Sequence, residues 1–396
     1  MAPDVVLILT LSLLIWLSPF IAKGLRSPTP PVEIVLGTLL TSAGLLHDNE
    51  YFTLIAEVGF LYLMFLAGME VNLKEISSSP RRLIRQALLF VISLGALALL
   101  SGLLLDLNPI VIVSLPLISI GMLASLSKIY GRKERWLNLA IIVGVLGEIA
   151  SIAALTVLDA ASNVGFGWEL VFKIGYLVLF IAAIYLAYHL LHLLFWWFPE
   201  LKKKLIPQSD TSDQDVRLAM ALFFMMITVM ILLHLELALG AFIAGVAISA
   251  FFHHEKRLEE KLSSLGFGFL IPLFFIHVGV SFDLPSVRIP GVLSGALEIT
   301  ALMIGIRILA SFHLRKLGGT FDALTIAFAL SMPLTLLIAV ATIGYTTNNI
   351  SLITYYKLIL ASLFELIIAM GVLKLLGVYR ERRKQRAWKE GKLNPR

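Results

Sequence analysis

The chain has 396 residues, 59% hydrophobic and 15% charged, with a mean hydropathy of +0.92. So little polar surface excludes a soluble globule and identifies a polytopic membrane protein, and no gap between apolar runs is long enough for a separate soluble domain. The net charge of +6 does not indicate nucleic acid, because the tail from Arg380 carries eight Lys/Arg against Glu381 and Glu390, the same +6, and the absence of cysteine excludes a disulfide framework or thiolate site.

A membrane span needs about 20 apolar residues. Such runs predict an all-α membrane protein of about 13 transmembrane helices, at 4–22, 31–46, 51–72, 83–105, 109–127, 136–158, 169–198, 216–234, 236–252, 264–281, 290–312, 320–344 and 352–378. The first run has neither a basic flank before it nor a small-residue cleavage pattern, so it reads as a retained span. Residues 1–378 then form one transmembrane domain, and 379–396 a basic cytoplasmic tail that flanks the last span. With the N-terminus outside and the C-terminus cytoplasmic, the inner segments hold 27 of the 32 basic residues and the outer loops hold only Arg288. This asymmetry is the positive-inside pattern and fits a multi-pass protein of a prokaryotic cell (inner) membrane. Lys173, Arg307, Lys357 and Lys374 lie within spans, and only Arg307 is far from an interface.

The chain also echoes itself. Ser114-Leu115-Pro116-Leu117 in the fifth predicted span recurs as Ser331-Met332-Pro333-Leu334 in the twelfth, 217 positions later, and Glu148 in the sixth has Glu365 in the thirteenth at the same spacing. Gly59-Phe60-Leu61 is echoed by Gly268-Phe269-Leu270, and Asn72-Leu73 by Asp283-Leu284. Inverted five-helix repeats at about 31–158 and 236–378 follow, because the second span runs outward and the ninth inward. Proline removes a helical hydrogen bond and clashes with the preceding turn. Pro116 and Pro333 therefore mark either two simple kinks or two broken helices that cross near the midplane and present free backbone groups to an ion.

The sixth span places Gly144, Gly147, Glu148 and Ser151 where lipid-compatible residues are expected, with Glu148 midway between Trp136 and Asp159. Burying an ionised carboxylate costs several kcal/mol or more, so such a group is charged only part of the time and can hold a proton or a cation, but not both. The alternative is a glutamic acid that merely pins two helices together. Arg307 is a permanent charge at depth and needs a partner; Glu148, Glu365 and Glu298 all qualify. Ser119, Ser125, Ser151 and Thr335 could lend oxygens to a small cation or serve helix packing. His277 is either a proton relay or a hydrogen-bonded packing residue. His189 and His192 share a helix face beside the aromatic belt Phe195-Trp196-Trp197-Phe198, which favours interfacial packing over metal binding. No P-loop, dinucleotide glycine motif, catalytic triad or metal-ligand cluster appears in the sequence, so neither enzymatic chemistry, a bound metal nor a cofactor is expected.

Four stretches resemble the monovalent cation/proton antiporter superfamily, in particular the branch that includes potassium-efflux antiporters. They are Glu57-Val58-Gly59-Phe60-Leu61 through Phe65-Leu66-Ala67-Gly68-Met69-Glu70, Leu239-Gly240-Ala241-Phe242-Ile243-Ala244-Gly245, the acidic-basic run Glu255 to Lys261, and Pro272-Leu273-Phe274-Phe275 to Gly279. The resemblance implies an inverted-repeat transporter that exchanges a monovalent cation for protons, with a core domain sliding against a dimerisation domain, and hence a homodimer. It places Glu148 where the family has its ion-binding Asp, and Arg307 where it has a basic residue in a later helix. Gly147 stands where the family usually has Asp, Asn or Gln, and His277 where a small hydroxyl is common. One carboxylate instead of two implies electroneutral one-for-one exchange. Potassium-efflux members often carry a cytoplasmic nucleotide-binding domain, which this chain, ending after its basic tail, is not expected to use.

Overall fold

The computed structural model describes residues 3–25, 28–71, 78–120, 134–164, 213–233, 237–251, 256–282 and 288–389, with single positions in the stretches between them. Among the described residues the chain is all-helical and contains no strand. Eight of the described helical stretches are long and apolar enough to cross a membrane. In hydrocarbon every backbone N–H and C=O must be satisfied internally, which a helix does along its own length. The chain is therefore a multi-span integral membrane protein. Of the predicted span 169–198 only single positions are described, and Ser125, His189 and His192 lie outside the described residues.

The chain divides into two compact units, one made of residues 1–75 and 152–284, the other of 76–151 and 285–396. The first contains α1 (Pro3–Leu25), α2 (Thr29–Ser42) and α3 (Glu50–Met69). The second holds α4 (Arg81–Leu104), α5 (Pro109–Ser114) and the part of α6 (Arg135–Val164) up to Ser151. The first unit continues with α7 (Gln214–Leu232), α8 (Leu237–Phe251), α9 (Lys256–Leu265) and α10 (Ile271–Val280). The second is completed by α11 (Val292–Ala310), α12 (Arg315–Ala329), α13 (Leu334–Thr346) and α14 (Leu352–Lys389).

Small residues hold the first unit together. A Cβ on Gly68 would strike the main-chain carbonyl of Phe242, and one on Gly245 that of Phe65, so α3 and α8 approach through reciprocal glycines. In the same way Gly37 faces the Ile276 carbonyl and Gly279 the Ile34 carbonyl, which brings α2 against α10. Thr38 Oγ1 then donates to the Gly279 carbonyl at 2.9 Å. In a bilayer, apolar contact between helices brings no gain over contact with lipid, and close backbone packing supplies the association instead. Asn49 caps α3 by accepting from the Phe52 N–H at 2.8 Å.

The predicted span 264–281 starts too late. Helical structure already begins at Lys256 and runs through α9 and a π-helical turn, Gly266–Leu270, into α10. Hydropathy hides α9 because Arg257, Glu259 and Glu260 face outward while Leu258 and Leu262 are buried, an amphipathic pattern. The final helix likewise continues through much of the predicted tail, to Lys389. The Arg, Lys, Gln, Ala and Glu residues there are strong helix formers.

In the second unit, two predicted spans are interrupted where proline occurs. The fifth is helical over Pro109–Ser114 and then loses helical structure through Pro116 and Ser119. The twelfth stops at Ala329 and resumes at Leu334, with Ser331, Met332 and Pro333 between. α12 also turns at Gly319 (φ 84°, ψ 179°), backbone that only glycine enters readily.

Candidate functional site

The first interruption creates a demand for hydrogen bonds. α5 is capped at its start by Asn108, whose side chain accepts from the Ile110 N–H at 2.8 Å. Pro116 has no N–H to continue the ladder, and the buried main chain of Leu117, Ile118 and Ser119 leaves the helical path. Buried backbone groups must still be paired. α6 supplies the partners: the Ile118 N–H donates to Ser151 Oγ at 2.8 Å, and the Ile120 N–H to Glu148 Oε2 at 3.2 Å. Glu148 and Ser151 are three residues apart and so share one helix face.

Glu148 is fully buried. Ser119 Oγ lies 3.4 Å from its Oε1 as a donor, and Thr335 Oγ1, in the first turn of α13, lies 3.5 Å from Ser119 Oγ. The two interruptions thus come together at Ser119 and Thr335. Gly147 permits this closeness. A Cβ there would stand 3.0 Å from Cβ and Cγ2 of Ile118 and would strike Ile118 Cδ1. The carboxylate and the two hydroxyls are hard oxygen donors of the kind alkali cations take. Among the described residues no basic side chain forms an ion pair with Glu148.

The other buried carboxylate differs in that respect. Arg307 and Glu365 are both fully buried, and Arg307 Nη1 donates to Glu365 Oε1 at 2.6 Å and to the Met303 carbonyl at 3.1 Å. Its Nη2 donates to the main-chain carbonyl of Leu117, within the first interruption. Arg307 Nε and Glu365 Oε2 are buried and have no hydrogen-bond partner among the described residues. Of the three carboxylates open to Arg307 in the sequence, Glu365 is the one it meets. Glu298, nine residues earlier on the same helix, is exposed.

His277 belongs to the first unit and has its own surroundings. Its Nε2 lies 3.2 Å from Asp48 Oδ1 and 3.3 Å from Thr53 Oγ1, and its ring packs edge-on against Phe52 at 5.1 Å. Sequence reasoning also missed contributors. The Leu117 carbonyl and the Ile120 N–H carry no side-chain signal, and only the proline nearby hints at them. In the first unit, apart from these residues, Glu33 is 2% exposed and accepts from Ser18 Oγ at 2.9 Å; a charged residue at the start of a predicted span gives no sign of such burial.

Residues 8–378 match the family described as "Sodium/hydrogen exchanger, transmembrane". The chain belongs to the sodium/hydrogen exchanger family. Relatives of this exchanger-family chain include the putative Na(+)/H(+) antiporter YjbQ of Bacillus subtilis, 26% identical over 380 residues, covering 85% of this chain and 57% of that protein. The probable Na(+)/H(+) antiporter 3 of Methanocaldococcus jannaschii is 26% identical over 281 residues, 67% of this chain and 69% of that one. The chain thus spans little more than half the length of the Bacillus relative. Among solved structures, the sodium proton antiporter MjNhaP1 of Methanocaldococcus jannaschii, determined at pH 8, superposes with a TM-score of 0.64 over 93% of this exchanger-family chain and 96% of that one, at 15% identity. This is a shared fold.

Proposed function

We propose that this chain is a secondary active transporter that exchanges a monovalent cation, Na+, K+ or Li+, for H+, with Glu148 as the group that binds both. The observation that carries this reading is the contrast between the two buried carboxylates 217 positions apart: Glu365 is compensated by Arg307 at 2.6 Å, whereas among the described residues Glu148 is held by a hydroxyl and one N–H and by no cation. The Na(+)/H(+) antiporter names of the relatives support it.

The cycle follows from that contrast. A neutral, protonated Glu148 satisfies a buried site, and so does an ionised Glu148 neutralised by a cation. The empty ionised state leaves an unpaired charge in a low-dielectric setting and moves poorly. Exchange is thereby favoured over leak. Ser119 and Thr335 supply further oxygens, Ser151 holds Ile118 in place, and Arg307 with Glu365 braces the interruption through the Leu117 carbonyl. Since Arg307 keeps its own counter-charge, one negative group carries either one proton or one cation, and the exchange is electroneutral and one-for-one. An elevator-like motion alternates the access of this site between the two faces of the membrane. The protein works as a homodimer in a prokaryotic inner membrane, N-terminus outside and C-terminus cytoplasmic.

The test uses proteoliposomes holding a proton gradient and a pH-sensitive dye, challenged in turn with Na+, Li+ and K+ while the membrane potential is clamped and then released. Cation-dependent recovery that is indifferent to potential is expected. Conduction without proton coupling would mean a channel, and no response to any of the three cations would mean a non-transporting sensor on the same fold.

A further inference from the structure

The two interruptions beside Glu148 are fastened differently. Around Pro116 the chain is held by other helices: Ser151 and Glu148 take its N–H groups, and Arg307 takes the Leu117 carbonyl. Around Pro333 there is no such fastening among the described residues. The N–H groups of Leu330 and Ser331 and the Ser331 hydroxyl bond back into α12, and Thr335 Oγ1 meets Ser119 Oγ only at 3.5 Å, long for a hydrogen bond. The buried face of α12 is formed by Ala323, Ile326 and Ala327, and the helix packs on α11 and α14. Small side chains permit close approach of helices but offer little resistance to sliding along the axis. The axial position of α12, and with it of Thr335, is therefore set elsewhere.

Directed bonds occur at the opposite end of α12. Arg82, in the first turn of α4, donates through Nη2 to the Lys316 carbonyl at 2.9 Å, and Arg135, at the start of α6, donates to the Leu317 carbonyl at 2.8 Å. Arg380, on α14, is forked: Nη2 donates to Asp322 Oδ1 at 2.6 Å and Nη1 to Glu134 Oε2 at 3.1 Å. Its guanidinium also lies over the rings of Phe321 and Trp136, 5.2 and 5.6 Å from their centroids. A planar, delocalised cation suits such a double role, which a lysine ammonium would fill poorly. Asp322 lies beyond the Gly319 turn, so Arg380 holds the helical part of α12 and not just the turn before it. Glu134 immediately precedes α6. One side chain thus ties α12 and α6 to α14, all within the unit that carries Glu148. From this cluster α6 leads to Glu148 and α12 leads to Thr335, 14 and 13 residues after the two carboxylates that Arg380 binds.

We propose that Arg380 is a positioning residue for the exchange site: by fixing the register of α12 against α6 it holds Thr335 beside Ser119, where the two hydroxyls serve a cation on Glu148. The proposal rests on the reading of Glu148 as the cation-binding group. Slippage of α12 withdraws an oxygen ligand from the cation without touching the carboxyl, so it weakens cation binding and spares both proton binding and the motion of the loaded site.

The test compares wild type and Arg380→Gln in the dye-loaded proteoliposomes, with whichever of Na+, Li+ and K+ the wild type exchanges. Losing one oxygen ligand is comparable to losing one charge-assisted hydrogen bond, so KM for the cation is expected to rise about tenfold while Vmax stays within about twofold of wild type. A brace that serves stability alone would lower the folded fraction, and so Vmax, at constant KM; that result, or no change in either constant, would overturn the assignment. Because the chain has no cysteine, Asp322→Cys/Arg380→Cys provides a reversible form of the experiment. A short bifunctional methanethiosulfonate bridging the pair should bring KM back towards wild type, and a reductant should raise it again in the same preparation, which poor folding cannot imitate. A KM indifferent to the bridge would count against the proposal. The register is also read without transport, from spin labels at Asn138→Cys on α6 and Thr320→Cys on α12, both exposed positions. Their distance distribution should be narrow with Arg380 and broad with Arg380→Gln, and equal widths would refute the positioning role. A wild type that exchanges none of the three cations would instead remove the reading of Glu148, while the spin-label distances still decide whether Arg380 sets the register.

Discussion

Arg307 and Glu365 form a fully buried ion pair at 2.6 Å, and the same guanidinium reaches the Leu117 carbonyl in the interrupted helix. Removing one partner of a buried pair leaves an uncompensated charge, at a cost of about 3–5 kcal/mol, whereas replacing both by apolar groups is often neutral. Glu365→Leu and Arg307→Met should each lower the melting temperature strongly in detergent, and the double variant should recover most of the loss. Because the double variant also gives up the Leu117 contact, its transport should stay impaired although its stability returns. Additive losses in the thermal melts would show that the pair is not coupled.

Glu148→Gln preserves size and an oxygen that can accept from the Ile120 N–H, so folding should be close to wild type. It mimics the protonated carboxyl permanently. Cation-dependent dye recovery should fall to the level of empty liposomes for Na+, Li+ and K+ alike, and wild-type exchange rates in this variant would remove Glu148 from the mechanism.

At Gly147 an added methyl would press on Ile118. Gly147→Ala should therefore destabilise by about 1–3 kcal/mol, the usual range for overpacking, and should slow exchange by moving Ile118 and its N–H away from Ser151. Ile118→Val removes the Cδ1 atom that the new methyl strikes, so Gly147→Ala/Ile118→Val should melt above Gly147→Ala alone. If it melts lower, the contact is not the cause.

The reciprocal glycines make a sharper contrast. Gly279→Ala would drive a Cβ into the Ile34 carbonyl, while a Cβ at Gly268 meets nothing within 4 Å. Size-exclusion profiles of fluorescent fusions should show Gly279→Ala largely aggregated and Gly268→Ala monodisperse. Similar profiles for the two would argue against close α2–α10 packing.

Much of this protein was legible in one dimension because the bilayer imposes simple rules. Length and apolarity announce spans such as 83–105 and 136–158, which appear as α4 and α6. Pro116 and Pro333 announce interruptions because the missing N–H is a local chemical fact. Glu148 stands out because a carboxylate among apolar residues is costly wherever the helix packs. α9 escaped the same rules: its alternation of charged and apolar residues depends on which face is covered, and hydropathy averages over faces.

Pairing, by contrast, belongs to the tertiary structure. Glu148, Glu298 and Glu365 were equal candidates for Arg307, since charge alone does not distinguish them. Only the packing of α11 and α14 in one unit sets Glu365 beside Arg307 and leaves Glu148 with Ser119 and the Ile120 N–H. The sequence by itself determined the membrane class, the interruptions and the presence of an acid at depth, because each follows from the chemistry of a residue and its neighbours in the chain. Which acid meets Arg307 and which, among the described residues, has no basic partner was decided only by the fold, because an ion pair acts over a few ångströms between residues 58 positions apart.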